Sequence, residues 1–173
     1  MPARPGQASS PDWAAKQYGE PAGQVAAQRA ARSSTVLGIP QGFTARQLAR
    51  FARGARQLQR QAGLPDGDLV VHGSRVRGTA RTGSDIDVAL RVNDRTFFEL
   101  SEKALARARP GTKLRDSMIR RINGNGQLSS FDLGSDFHRR RRDLLDAETP
   151  HKVQFSVLRI GGKLDTGPFR PLG

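Results

Sequence analysis

Residues 68–92 read Asp68-Leu69-Val70-Val71-His72-Gly73-Ser74, then a stretch rich in Arg and Gly from Arg75 to Gly83, then Ser84-Asp85-Ile86-Asp87-Val88-Ala89-Leu90-Arg91-Val92. The first apolar run is short and ends on glycine, as a buried strand running into a tight turn does. The second alternates. Asp85, Asp87, Ala89 and Arg91 fall on one face of a strand, and Ile86, Val88, Leu90 and Val92 on the other. Side chains two residues apart on a strand point the same way, so Asp85 and Asp87 present paired carboxylates to one side. Like charges so close repel. A purely structural role for the pair would therefore be costly without a cation between them.

Such a pair suits phosphoryl transfer to the α-phosphate of a nucleotide. Charge builds there on the attacking and leaving oxygens, and Mg²⁺ neutralises it. Mg²⁺ is a hard ion and takes carboxylate ligands, with Mn²⁺ as the alternative. The triphosphate also needs a cradle. Gly73 lets the backbone approach phosphate with no Cβ in the way, and Ser74 adds a hydroxyl. Nine residues separate Ser74 from Ser84, among them Arg75, Arg77 and Arg81 as cations for phosphate charge. Gly78 and Gly83 permit sharp turns there. A helix starting at this point would add its positive end.

The stretch HGSRVRGTARTGSDIDVAL resembles the signature of the DNA polymerase beta-like nucleotidyltransferase superfamily. That pattern is an apolar residue, Gly-Gly or Gly-Ser, a spacer, then Asp-apolar-Asp-apolar. Minimal nucleotidyltransferases, antibiotic nucleotidyltransferases, CCA-adding enzymes and several toxins share it. The resemblance implies Gly73, Ser74, Arg75, Arg77, Arg81 and Ser84 for the nucleoside triphosphate. It implies Asp85 and Asp87 for metal and catalysis. It also implies a third carboxylate on a later strand, by position Lys152 to Val157. Gln154 stands where that acid belongs, so it completes the catalytic set of Asp85, Asp87 and Gln154 as a departure from the pattern. Gln offers a carbonyl oxygen but cannot act as a base. Asp132, Asp136 or Asp165 could substitute from a loop, with Ser156 as a hydrogen-bonding helper.

Working outward, Thr44 reads as the N-cap of a helix to about Gln61, with Gly63 as its stop. Leu48, Phe51, Ala55 and Leu58 form its apolar stripe, and Arg46, Arg50, Arg53 and Arg60 lie on another face. Those arginines are either a solvated surface or a rail for a nucleic-acid backbone. Asp94 reads as the cap of a helix to about Arg107, turning Phe97, Phe98, Leu105 and Ala108 inward. A further helix covers 112–122, and Asn123-Gly124-Asn125-Gly126 reads as a turn. Ser135 caps a helix to Asp146, and Lys152 to Ile160 alternates like a strand. The order predicts an α+β chain of the minimal nucleotidyltransferase kind, a small mixed β-sheet flanked by helices. Residues 1–40 read as a flexible or partly helical N-terminal lead containing Trp13 and Tyr18, and 41–173 as the nucleotidyltransferase domain.

The 173-residue chain carries 29 Lys+Arg against 16 Asp+Glu, a net charge of +13. That balance matches a polyanion, although an arginine-rich surface alone would look the same. Arg120, Arg121, Arg139 and Arg140 are the candidate nucleic-acid contacts. His72 sits beside the phosphate loop, where a packing or positioning role is expected. Without cysteine there are no disulfides and no thiolate metal sites. No apolar run reaches membrane-spanning length, and no signal-peptide pattern opens the chain. The tail VQFSVLRIGGKLDTGPFRPLG and the small basic body also resemble the C-terminal nucleotidyltransferase modules of bacterial polymorphic toxins. This second likeness implies an antibacterial toxin domain carried into the target cell's cytoplasm within a larger secreted protein, and an acidic immunity protein as partner. Apart from it, a cytoplasmic location is expected. RNA, tRNA in particular, is the favoured acceptor. A protein or small-molecule acceptor, or a catalytically degenerate nucleotide- or RNA-binding module, are the alternatives.

Overall fold

The structure, a computed structural model, describes residues 35–173. The parts of the expected lead that lie in 1–34, Trp13 and Tyr18 included, fall outside the described residues. Thr35 bridges to Phe169, and Val36 N donates to Phe169 O at 2.8 Å, so the lead's last residues lie along the body.

Helix α1 spans Ala45–Gln61, as its pattern predicts. Thr44 Oγ1 accepts from Gln47 N at 3.1 Å and Gln47 Oε1 accepts from Thr44 N at 2.9 Å, a reciprocal capping box. Leu48, Phe51, Ala55 and Leu58 are buried. Each large side chain on that stripe contributes about 1.5–3 kcal/mol. Gly54 is buried too, and a Cβ there would run into the Leu144 carbonyl. Glycine is what lets the distant helix α5 (Ser135–Leu144) come this close.

Strand β1 (Asp68–His72) is followed by the single-turn helix α2 (Ser74–Arg77), and then by β2 (Ile86–Val92). Helix α3 (Asp94–Arg107) and helix α4 (Lys113–Arg120) come next. The strands β3 (Gln127–Ser129), β4 (Val153–Arg159) and β5 (Arg170–Pro171) complete a mixed sheet in the order β3-β4-β2-β1-β5. β2 pairs antiparallel with β1 and parallel with β4, while β3 and β5 pair antiparallel at the edges. This is the predicted α+β architecture, a five-stranded mixed sheet with flanking helices. Ile86, Val88, Leu90, Val153, Phe155 and Val157 turn to one face, join Phe51, Phe97, Met118 and Phe137, and form the main core.

The other face departs from expectation. Ala89 and Arg91, which share the face of Asp85 and Asp87 on β2, are buried, with Val70, Ala89, Leu158 and Phe169 in a second small cluster. The cause is the tail, which folds back over this face. Asp165, fully buried, accepts from Arg91 Nε at 2.6 Å and Nη2 at 3.0 Å. The same guanidinium lies 4.0 Å above the Phe169 ring. This cover ends short of the Asp87 end of the sheet, where the face stays open enough for Asp85 and Asp87 to be only half-buried.

Helix ends differ in small ways. Asn93, not Asp94, caps α3, with Oδ1 accepting from Thr96 N at 2.9 Å. Asp94 instead accepts from Arg159 Nε at 3.0 Å. Thr112 caps α4, which passes into a π-turn at Arg121–Asn125 and so takes in most of the expected Asn-Gly turn. Gly134, not Ser135, is the N-cap of α5, which ends at Leu144.

Candidate active site

Gly73 follows β1 with φ 80° and ψ −158°, a conformation open to glycine alone. A Cβ on Gly73 would collide with Asp87 Oδ2. The register explains the approach: His72 is paired with Asp87 across β1 and β2. The Gly73 turn, the expected phosphate cradle, therefore lies directly against the second acid. Ser74 opens α2, but four residues make too short a helix for an appreciable dipole. What the cradle offers is a bare Cα and a hydroxyl rather than a helix end.

Asp85 immediately precedes β2, and Asp87 lies within it. Burial raises the Asp87 pKa above the ordinary carboxylate value, and the neighbouring Asp85 raises it further. Arg77 and Arg75 pull it the other way. Across the parallel boundary Asp87 is paired with Gln154, and Gln154 Nε2 donates to Asp85 Oδ2 at 2.6 Å. Gln154 thus occupies the position expected of it, beside both acids. Its amide supplies a positive end where a third carboxylate would have added repulsion.

The arginines divide. Arg77 is exposed at the end of α2 and near enough to Asp87 to bias its titration. Arg81 is exposed in the loop. Arg75 departs from its expected role as a phosphate ligand. It is buried, and its guanidinium donates to Gln41 O at 2.9 Å and Ser84 O at 2.5 Å. A buried guanidinium needs acceptors, and here it finds backbone carbonyls on both sides of the site. Arg75 ties the helix behind Ser74 to the residue before Asp85, making it a positioning residue. Ser84 Oγ closes the loop by accepting from Arg81 N at 2.8 Å.

The loop substitutes for a third acid are all engaged elsewhere. Asp165 holds Arg91, Asp132 accepts from Arg121 Nη2 at 2.7 Å, and Asp136 pairs with Arg139, both side chains exposed on α5. Among the described residues no three His, Cys, Asp or Glu side chains gather into a metal-ligand group. The donor set at Asp85 and Asp87 still fits one hard cation. It offers two carboxylates on one side of a strand and the Gln154 amide within bonding distance of the first. The glycine beside the second leaves room for the Asp87 carboxylate itself.

Of the candidate nucleic-acid residues, Arg121 is a correction. It bonds to the buried Asp132 and to Ser117 Oγ at 2.9 Å, so it braces the fold. Arg120, Arg139 and Arg140 are exposed, and Arg140 touches Gln61 at 3.0 Å. His72 has its pKa lowered to about 4, chiefly by burial, and its ring lies 6.2 Å from that of Phe169. It packs near Phe169 under the Gly73 turn, where burial favours its neutral form. Sequence reasoning missed Arg75's tether and the tail's cover, because both depend on partners distant in the chain.

The nucleotidyltransferase domain family model matches residues 50–123. That span carries Gly73, Ser74, Asp85 and Asp87, and stops before β3 and β4. It is less than half the chain, and over it the protein is similar to nucleotidyltransferase domains. No curated protein and no solved structure matches. Transfer of a nucleotide, in general terms, is the activity this likeness supports. No helix among the described residues is long and apolar enough to cross a membrane.

Proposed function

We propose that the protein is a Mg²⁺-dependent nucleotidyltransferase that moves a nucleotide from a nucleoside triphosphate to an RNA acceptor, and that it acts as an antibacterial toxin domain. The observation that carries the catalytic part is the contact between the Gly73 turn and Asp87, with Gln154 bonded to Asp85 on the other side. A phosphate cradle, paired acids and a polar side chain for the acceptor stand in sequence along one end of a sheet.

Asp85 and Asp87 would hold the divalent ion, which when bound neutralises charge on the α-phosphate and the leaving pyrophosphate. Gly73 and Ser74 bind the triphosphate tail, and Arg77 and Arg81 offset its charge. An acceptor hydroxyl oxygen bonds to the α-phosphorus, the bond to the β-phosphate oxygen breaks, and pyrophosphate leaves. Gln154 orients that hydroxyl through its amide. It cannot take the proton, which passes to solvent. The reading therefore predicts slower chemistry than in a site with a third carboxylate.

The net charge of +13 favours RNA as acceptor, with tRNA first among RNAs. It also suits an acidic immunity protein as partner. On the toxin reading the domain works in the cytoplasm of a target cell. A specific observation supports a second reading: the Gln154 contact leaves the site short of a base, as in a degenerate nucleotide or RNA binder. The deciding experiment incubates each labelled triphosphate with Mg²⁺ and total bacterial RNA or lysate, alongside the double variant Asp85→Ala/Asp87→Ala. Label in RNA, lost in the variant, supports transfer to RNA. Label in protein moves the acceptor. Tight nucleotide binding with no label anywhere makes the protein a binder.

A further inference from the structure

Phe131 is a large aromatic side chain with 72% of its surface exposed, two residues past the end of β3. Burial would normally claim such a ring. Instead it is stacked on His138 of α5, with ring centroids 4.6 Å apart and planes 23° from parallel. One face is thus held and the other is open. His138 Nδ1 is buried with no hydrogen-bond partner, so no polar contact at that atom competes with the stack. Phe131 also walls an apolar groove of about 460 Å³ with Ala104, Ala108, Leu114 and Met118.

Its place relative to the site follows from sheet order and displacement geometry. β1, with the Gly73–Ser74 cradle, lies on one side of β2, and β4 then β3 lie on the other. In-line displacement puts nucleophile and leaving group on opposite sides of the phosphorus. If the triphosphate tail lies on the β1 side, the acceptor enters from the β4 and β3 side past the end of the sheet, because the Phe131 groove lies with α3 and α4 on the core face and Asp87 lies with Ala89 on the other. β3 lies two strand spacings from β2, about 10 Å. It leaves the sheet toward the Gln154 end: Ser129 pairs with Ser156, and Ser130 Oγ bonds Phe155 O at 3.1 Å. Phe131 comes next. From His138 the same helix continues into Arg139 and Arg142, both exposed, whose surface ion pairs with Asp136 and Asp143 cost little to exchange for phosphate.

We infer that Phe131, backed by His138, is a stacking platform for a nucleobase of the single-stranded end of the RNA acceptor, with Arg139 and Arg142 on its flanking phosphates. Aromatic stacking of this kind is tolerant of base identity and contributes substantially per base. The inference rests on the RNA-transfer reading and adds the acceptor subsite to it.

The test compares full-length wild type with Phe131→Ala and Phe131→Tyr. The KM for RNA should rise about tenfold or more in Phe131→Ala, with kcat and the KM for the triphosphate nearly unchanged. Phe131→Tyr should restore it. Thermal melting checks that the exposed site tolerates truncation. Separately, Phe131→Trp in a Trp13→Phe background gives one reporter tryptophan. A short single-stranded oligoribonucleotide should quench it, and a triphosphate with Mg²⁺ should not. If wild type labels RNA but Phe131→Ala keeps a normal KM for RNA, or if quenching follows the triphosphate, the platform is overturned while RNA transfer stands. If wild type labels no RNA and the oligonucleotide does not quench, both fall.

Discussion

Gln154 and Asp85, 69 residues apart in the chain, are joined by a 2.6 Å hydrogen bond in which the amide donates and the carboxylate accepts. The acid pair is therefore partly neutralised by a dipole rather than crowded by a third charge. In Gln154→Glu three carboxylates would share one corner. That variant should melt below wild type without divalent ions, because like charges repel. It should gain more in melting temperature than wild type when Mg²⁺ is added, and bind Mg²⁺ about tenfold more tightly by calorimetry. Equal Mg²⁺ affinity in the two proteins would show that position 154 does not face the ion.

Asp87→Asn separates stability from activity. The raised Asp87 pKa means that the fold disfavours the charged form, through burial and through Asp85. A neutral, isosteric side chain removes that penalty. In metal-free buffer at neutral pH the variant should melt higher than wild type, and it should lose nucleotide transfer by at least about a hundredfold. Functional carboxylates are commonly kept at a cost in stability. A variant that melts lower without metal would contradict the burial argument.

His72 gives the pH profile its direction. Its folded pKa is about 4 against an ordinary 6.5, so below 6.5 the unfolded chain takes up a proton that the folded chain resists. The stabilisation is complete above 6.5 and fades as pH falls toward 4. The loss should reach at most about 3 kcal/mol. Urea unfolding of wild type and His72→Asn at several pH values checks this. The variant's curve should be flatter between pH 6.5 and 4.

The Arg91–Asp165 pair is bidentate and buried. Removing one partner strands the other charge, so Asp165→Ala should cost about 3–5 kcal/mol, and Arg91→Met/Asp165→Leu should recover most of it. Denaturant unfolding of the three proteins decides. The single variant should also release the tail, visible as faster proteolysis after Ile160.

The sequence was most legible where contacts are local. Thr44 marks a helix start and the alternation of 86–92 marks a strand, while Gly73-Ser74 with Asp85 and Asp87 is brought together at one end of the sheet, as the proposed site requires. Gln154 was placed by strand position alone, and the register with Asp87 agrees. What was not legible depends on distant partners. Three residues of β3 and two of β5 carry too little pattern to read. An arginine in a glycine-rich loop looks like a phosphate ligand until Gln41 O and Ser84 O are seen to claim it. Arg91 looks like a surface residue until the tail arrives with Asp165.

The parallel pairing of β2 with β4 has a consequence for the order of folding. Gly73, Ser74, Asp85 and Asp87 sit on one antiparallel hairpin, which can close through short-range contacts. Gln154 reaches it only after α3, α4, β3 and α5 have been laid down, and such long-range pairings form slowly. A nascent or partly unfolded chain would hold the cradle and both acids without the amide that faces them. On the proposed function, competence for transfer is thus tied to the crossover that brings β4 beside β2.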